Sequence, residues 1–79
     1  MNRLQRELAT AKRHVVRGRE IVEQQRERVV KMRAGGHATV THEELLKQFE
    51  RTLKALEDHE RLLVSEIAET QIGMGEKSN

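Results

Sequence analysis

The sequence predicts an all-α fold, an antiparallel hairpin of two helices. Proline is absent from the 79 residues and Phe49 is the only aromatic residue. Nothing therefore breaks a long helix, whereas β-rich domains normally draw on aromatic and turn residues. Apolar residues also recur at alternating steps of three and four in both halves of the chain, which is the heptad repeat typical of packed helices.

The first helix is predicted over about residues 2–34 and the second over about residues 42–70. Each has an apolar seam, because residues three and four apart share one face of a helix. The first seam contains Leu4, Leu8, Ala11, Val15, Gly18, Val22, Gln25, Val29 and Met32. The second seam contains Leu46, Phe49, Leu53, Leu56, Glu60, Leu63 and Ile67.

The connection between the helices contains both a stop signal and a start signal. Gly35 and Gly36 suit a left-handed cap at the end of the first helix. Thr41, followed three residues later by Glu44, has the pattern of a capping box at the start of the second. Because the connection is only about seven residues long, the two helices are expected to run antiparallel.

The chain is predicted to form one domain over residues 1–71, followed by a flexible tail over 72–79 that is rich in glycine and polar residues. A chain of this length buries too little apolar surface to be comfortably stable alone. Its apolar stripes are also wider than one seam, because several apolar residues come in adjacent pairs. The pairs are Val15–Val16, Ile21–Val22, Val29–Val30, Leu45–Leu46 and Leu62–Leu63. We therefore expect self-association into a four-helix bundle, with a homodimer favoured over higher oligomers or an unidentified protein partner.

Charge is divided unevenly between the two helices. Residues 1–34 contain ten Lys or Arg and four Glu, a net charge of +6, whereas residues 42–79 contain five basic and nine acidic residues, a net charge of −4. The helices should therefore attract each other. Within the second helix, three acid–base pairs spaced four residues apart are predicted to bridge on a solvated face. They are Glu43–Lys47, Glu50–Lys54 and Glu57–Arg61.

Polar residues interrupt the middle of the seam. If the turn is centred near residue 38, antiparallel positions sum to about 76–78, which places Gly18 opposite His59 or Glu60. The sequence thus predicts one polar layer, and its members are His14, Gly18, Gln25, His59 and Glu60. We interpret the layer as a structural device that fixes register, with Gly18 making room for a bulky polar side chain. A metal or acid–base centre built from His14, His59 and Glu60 is the less favoured alternative, because the spacing matches no Glu-x-x-His or His-Glu-x-x-His motif.

Catalysis is not expected. The chain has no cysteine, which excludes disulfides, thiolate metal sites and cysteine nucleophiles. Neither of its serines, Ser65 and Ser78, lies in a nucleophile elbow, and no phosphate-binding glycine loop is present. No catalytic, cofactor-binding or metal-binding residue is therefore predicted.

A basic face on the first helix supports a different hypothesis, an RNA- or DNA-binding accessory protein. The residues that share this direction are Arg3, Arg6, Arg13, Arg17 and Lys31. Such residues are suited to contact phosphates. Nucleic-acid binding is not favoured, because Glu20 and Glu27 interrupt the strip and no aromatic platform is available for stacking bases.

The termini and the hydropathy pattern predict a cytoplasmic protein without membrane contact. The first residues are charged throughout, and no apolar run reaches the length of a signal-peptide core or a membrane span. The absence of cysteine fits a reducing compartment.

One longer pattern resembles a known group of proteins. Its first part follows the form A-x2-H-[VI]-x2-G-x3-V-x2-Q and its second part lies on the second helix. The matching residues are Ala11, His14, Val15, Gly18, Val22 and Gln25, then Phe49, Leu53, Leu56, His59, Leu62 and Leu63. This pattern, over about residues 11–67, resembles short uncharacterised helical-hairpin proteins of proteobacteria. The resemblance implies a bacterial source and a helical hairpin, and it supplies no activity. Arg17 and Arg19 flank Gly18 where an acidic residue is usual in that group.

Overall fold

The protein is a hairpin of two long helices, as the sequence predicts. The computed structural model describes residues 2–77, and the side chains of residues 2–71. Helix α1 spans Arg3–Ala34 and helix α2 spans Val40–Lys77. The hairpin is an elongated rod of 67 × 17 × 14 Å. Helix α2 folds back along α1, which confirms the all-α hairpin.

The end of α1 confirms the predicted glycine cap. Gly36 has a φ of +76°, in the left-handed region that glycine adopts without steric cost. Its N–H donates to the carbonyl of Arg33 at 3.1 Å, and the N–H of His37 donates to the carbonyl of Met32 at 2.9 Å. This pair of bonds is a Schellman motif, which satisfies the last carbonyls of the helix and turns the chain back.

The start of α2 differs from the prediction. The helix begins at Val40, and the carbonyl of Thr39 accepts the first helical hydrogen bond from the N–H of Glu43 at 2.8 Å. The hydroxyl of Thr39 also donates to the Glu43 carboxylate at 3.0 Å. The predicted capping box of Thr41 and Glu44 is therefore wrong, because Thr39 already caps the helix two residues earlier.

The other end of α2 also differs. The helix continues to Lys77 instead of ending near residue 70. Without proline nothing blocks the backbone hydrogen bonds, and the two glycines of this segment weaken a helix by about 1 kcal/mol each without ending it. The flexibility of residues 72–79 stays a prediction, and residues 78–79 lie outside the described residues.

The hydrophobic core follows the predicted seams. Every predicted seam residue is buried or half-buried. The most deeply buried residues are Ala11, Val15, Val22, Gln25, Val29 and Leu63. In contrast, three of the adjacent apolar pairs each leave one residue exposed to solvent. Val16 is 55%, Val30 is 59% and Leu62 is 55% accessible. The single hairpin therefore covers its seam and leaves part of its apolar stripes in solvent.

Candidate self-association surface

Gly18 is the point where α2 approaches α1 closely. A β-carbon at this position would lie 3.2 Å from Leu53 Cδ1 and 3.4 Å from Leu56 Cδ1. The predicted contact of Gly18 with His59 or Glu60 is therefore wrong. Two leucines fill the space because their burial is favourable, whereas a histidine or glutamate placed there would lose its hydration.

An apolar groove opens beside this contact, in the middle of the hairpin. It has a volume of about 230 Å³. The residues that line this central groove are His14, Arg17, Gly18, Ile21, Phe49, Thr52, Leu53 and Leu56. Ile21, Phe49 and Leu56 are half-buried, whereas the polar residues of the rim are exposed. The central groove therefore presents apolar side chains that the hairpin itself covers only in part.

The opposite flank of the helix pair is bridged by exposed ion pairs. Arg17 and Arg19 lie on either side of Gly18 in the sequence, and each is rotated about 100° from it, in opposite directions. Arg17 borders the central groove, while Arg19 donates to Glu57 on α2 at 3.1 Å. Three such pairs form what we call the arginine–glutamate ladder. Its members are Arg19–Glu57, Arg26–Glu50 and Arg33–Glu43. The hairpin thus has one polar, bridged flank and one apolar, open flank.

The ladder corrects the predicted pairing within α2. Glu43, Glu50 and Glu57 accept hydrogen bonds from α1 and do not bridge to the basic residues four positions later. Those basic residues pair with other acids. The pairs are Lys47–Glu44 at 3.7 Å, Lys54–Asp58 at 3.5 Å and Arg61–Asp58. The glutamates prefer α1 because they lie at the edge of the seam, within reach of long arginine side chains.

Gln25 is a buried polar residue whose hydrogen bonds tie α1 to the start of α2. It is 2% accessible. Its amide nitrogen donates to the carbonyl of His42 at 2.9 Å and lies 3.4 Å from His42 Nδ1, and its amide oxygen accepts from Arg28 at 3.1 Å. Because donor and acceptor are both satisfied, this residue does not carry the desolvation cost of an unpaired amide.

The structure does not bring the five members of the predicted polar layer together. Gly18 meets leucines and Gln25 meets His42. His14 and His59 are both exposed and line one shallow cleft near the free end of α1, while Glu60 is half-buried and lines a separate cavity with Arg19. Among the side chains that the structure describes, no group of three His, Asp or Glu residues is arranged to hold a metal ion.

The basic face of α1 is partly occupied by local contacts. Arg3 lies 3.7 Å from Glu7, Arg17 lies 3.2 Å from Glu20, and Arg13 donates to the hydroxyl of Thr10 at 3.1 Å. These pairs are exposed to solvent. Exposed ion pairs contribute little to folding stability, and salt screens them. A phosphate could compete for such arginines. Lys31 lies on an exposed stretch nearer the turn, beside Glu27 and Arg28.

Two carboxylates have a lowered pKa. The hydrogen bond from the Thr39 hydroxyl, together with that from Arg33, lowers the pKa of Glu43 below its ordinary value of 4.5. The hydrogen bond from Arg61, with the charge of Lys54, lowers the pKa of Asp58 below 3.8. Both groups are at the surface. Glu43 also belongs to the ladder, so its charge state affects the contact between the helices at the turn.

The arginine–glutamate ladder was available in the sequence and was not predicted. Both sides of the ladder repeat every seven residues, at Arg19, Arg26 and Arg33 on α1 and at Glu43, Glu50 and Glu57 on α2. The two residue numbers of each observed pair add up to 76. That sum lies within the range expected for antiparallel partners. The partnership of Gln25 with His42 had no comparable signal, because a histidine next to a turn is usually exposed.

No known protein family, curated protein or solved structure matches the chain. No helix among the described residues combines the length and the apolar character that crossing a membrane requires. The resemblance to proteobacterial helical hairpins stays a prediction.

Proposed function

We propose that this protein is a non-catalytic, cytoplasmic structural or protein-interaction module that associates with a second copy through the central groove. The product is a homodimeric four-helix bundle. The observation that carries the proposal is the open apolar flank, where Ile21, Phe49 and Leu56 remain half-buried beside Gly18. On the other flank, Arg19 and Glu57 of the ladder line a cleft with the exposed Val64, so the central groove is the more apolar of the two approaches for a partner.

The extent of the surface supports association. The chain exposes 6174 Å². A folded monomer of 9.2 kDa is expected to expose about 4,900 Å². The excess of about 1,200 Å² per chain is larger than the roughly 800 Å² that each partner buries in a standard specific interface. Side-by-side packing of two rods would bury part of this excess exposed surface.

The position of the groove supports a second copy as the partner. Gly18 lies fifteen residues after Arg3 and sixteen residues before Ala34, at the midpoint of α1. A twofold axis requires a surface that is complementary to itself. On α2 the groove lies nearer the turn, because Thr52 is twelve residues after Val40 and twenty-five before Lys77. Along α1, the groove can meet its own copy in either orientation of the second hairpin.

A charge placed at the rim of the groove tests this proposal. Thr52 is exposed and lines the groove, so Thr52→Arg should leave the hairpin folded while placing an uncompensated charge in the interface. We expect the dimer dissociation constant to rise at least tenfold, which corresponds to about 1.4 kcal/mol. Size-exclusion chromatography with light scattering over a dilution series measures this constant.

The matched control is Val30→Arg. Val30 is also exposed, at 59%, and lies outside the lining of the groove. Its dissociation constant should stay within a factor of about two of the wild-type value, because exposed surface substitutions have small effects. Equal weakening by both variants would show that the groove is not the interface.

A second proposal, the RNA- or DNA-binding accessory protein, rests on a different observation. Two arginines of α1 and one histidine from each helix border a cleft that shares His14 with the groove and contains a single acid. The residues that line it are Arg3, Arg6, Glu7, Thr10, Ala11, His14 and His59. Retention on heparin or nucleic acid at low salt, lost when Arg6, Arg13 and Arg17 are replaced by alanine, would support this function. A lack of retention by the wild-type protein at low salt would exclude it.

A further inference from the structure

We infer that the two copies pack groove to groove with their turns at the same end, so that α1 of each copy lies against α2 of the other. The inference rests on the proposed self-association and adds its geometry. The occupant of the groove is the same groove face of a second hairpin.

Two arrangements satisfy a twofold axis between facing grooves. An axis along the rod places the turns together and sets α1 against α2 of the second copy. An axis across the rod places the turns at opposite ends and sets α1 against α1. Every neighbouring pair of helices is antiparallel in both arrangements, so helix dipoles do not distinguish them. The choice depends on the side chains.

The charges of the two helices favour the same-end arrangement. Helix α1, Arg3–Ala34, contains ten basic and four acidic residues, whereas α2, Val40–Lys77, contains five basic and nine acidic residues. Contact of α1 with α1 would bring two helices of net charge +6 together, and contact of α1 with α2 joins opposite charges. Like charges facing each other across an interface cost several kcal/mol, whereas complementary charges direct the partner.

The rims of the groove carry the same asymmetry. The α1 rim contributes His14 and Arg17, and the α2 rim contributes Thr52. Arg3, Arg6 and Arg13 share the direction of Arg17 within about 80°, since each residue turns the helix by about 100°. In the opposite-end arrangement this arginine strip would face its own copy. In the same-end arrangement it faces a rim that contributes no basic residue to the groove lining described.

The level of Arg6 along the rod agrees with the helix charges. With the axis across the rod at Gly18, α1 residues whose numbers sum to about 36 lie at one level, which sets Arg6 beside Lys31 of the second copy. With the axis along the rod, residues of the two copies lie at the same height along the rod as they do within one hairpin, where the residue numbers of ladder partners add up to 76. Arg6 then lies at the level of residue 70 of the second copy, next to Glu69 and about one turn from Glu66. The hairpin already joins α1 to α2 through Arg–Glu pairs, and the dimer reuses that chemistry.

Distances between spin labels distinguish the arrangements. The chain has no native cysteine, so Ala38→Cys places a single nitroxide in the exposed turn. Pulsed dipolar spectroscopy of the dimer should give a distance of about 15–25 Å if the turns lie together. A 1.5 Å rise per residue predicts about 50 Å if they lie at opposite ends. Thr70→Cys, at an exposed position at the other end of the rod, should also give a short distance, and would give about 35 Å in the opposite-end arrangement.

Dilution of labelled protein with excess unlabelled protein is the control, since it should reduce the depth of the dipolar signal if the two labels belong to different chains. Long distances at both positions would overturn the same-end arrangement and leave self-association intact. Absence of dipolar coupling at both positions would overturn self-association as well, and would leave the groove to a different protein.

Discussion

Replacing Gly18 by alanine measures how much space separates the two helices at the groove. Alanine is favoured over glycine in a helix by about 1 kcal/mol. Against this gain, the new β-carbon would lie 3.2 Å from Leu53 Cδ1 and 3.4 Å from Leu56 Cδ1. Optimal carbon–carbon separations are about 3.5–4.0 Å, so Leu53 must shift by a few tenths of an ångström.

The shift should be tolerated because of where the atom lies. Leu53 Cδ1 is the end of a flexible side chain, and the central groove of about 230 Å³ lies next to it. A modest rotamer displacement costs about 0.5 kcal/mol. The net prediction is a gain of about 0.5 kcal/mol, which raises the melting temperature by about 2–4 °C for a domain of this size. Thermal unfolding followed by circular dichroism measures it, at one fixed protein concentration because association makes the melting temperature depend on concentration.

A loss of more than about 1 kcal/mol in Gly18→Ala would refute this reasoning, since such a loss requires a clash that Leu53 cannot relieve. Gly36→Ala is the matched control. Its φ is +76°, and no described atom lies within 4 Å of the added β-carbon, so the change acts through the backbone alone. It should destabilise the hairpin by about 1–2 kcal/mol, the cost of left-handed backbone for a residue with a β-carbon.

The remaining predictions concern the polar contacts between the helices. Gln25→Glu should lower the unfolding free energy by about 1–3 kcal/mol at neutral pH in urea titrations, because it removes the donor to the His42 carbonyl and places a carboxylate at a buried position. Gln25→Leu removes the same donor without adding a charge and should lower the unfolding free energy by about 1 kcal/mol. Two variants as stable as the wild type would contradict the role of the hydrogen bond. The folded-state pKa of Glu43 lies below 4.5, owing to Thr39 and Arg33, so its stabilisation is complete above that value and is lost as the pH falls through the lowered pKa. Thermal melts of Glu43→Gln should show less acid sensitivity than the wild type, and an unchanged profile would contradict this.

The fold could be predicted from the sequence because its determinants are local. The three-and-four spacing defines one face of each helix whatever the partner, and the predicted seam residues are all at least half-buried. The cap at Gly36 could also be predicted, because left-handed backbone strongly favours glycine. These features depend on neighbours within a few positions, which the sequence displays directly.

The contacts between the two helices were harder to predict from the sequence, because they depend on the axial offset of one helix relative to the other. A slip of one turn moves the partner of Gly18 by about 5 Å, from His59 back to Leu56, without disturbing the heptad pattern. The cap at Thr39, two residues before the predicted one, contributes to that offset. The ladder was missed for a related reason, since Glu50 has a basic residue four positions later and only the folded hairpin shows that Arg26 takes it.

Sedimentation equilibrium of the wild-type chain tests the central claim most directly. Across a series of micromolar concentrations, the proposal predicts a mass that rises from that of one 9.2 kDa chain to twice that value, and a fit to a monomer–dimer equilibrium. A single mass of 9.2 kDa at every concentration, for a protein that is fully helical, would contradict the proposal that the central groove is covered by a second copy.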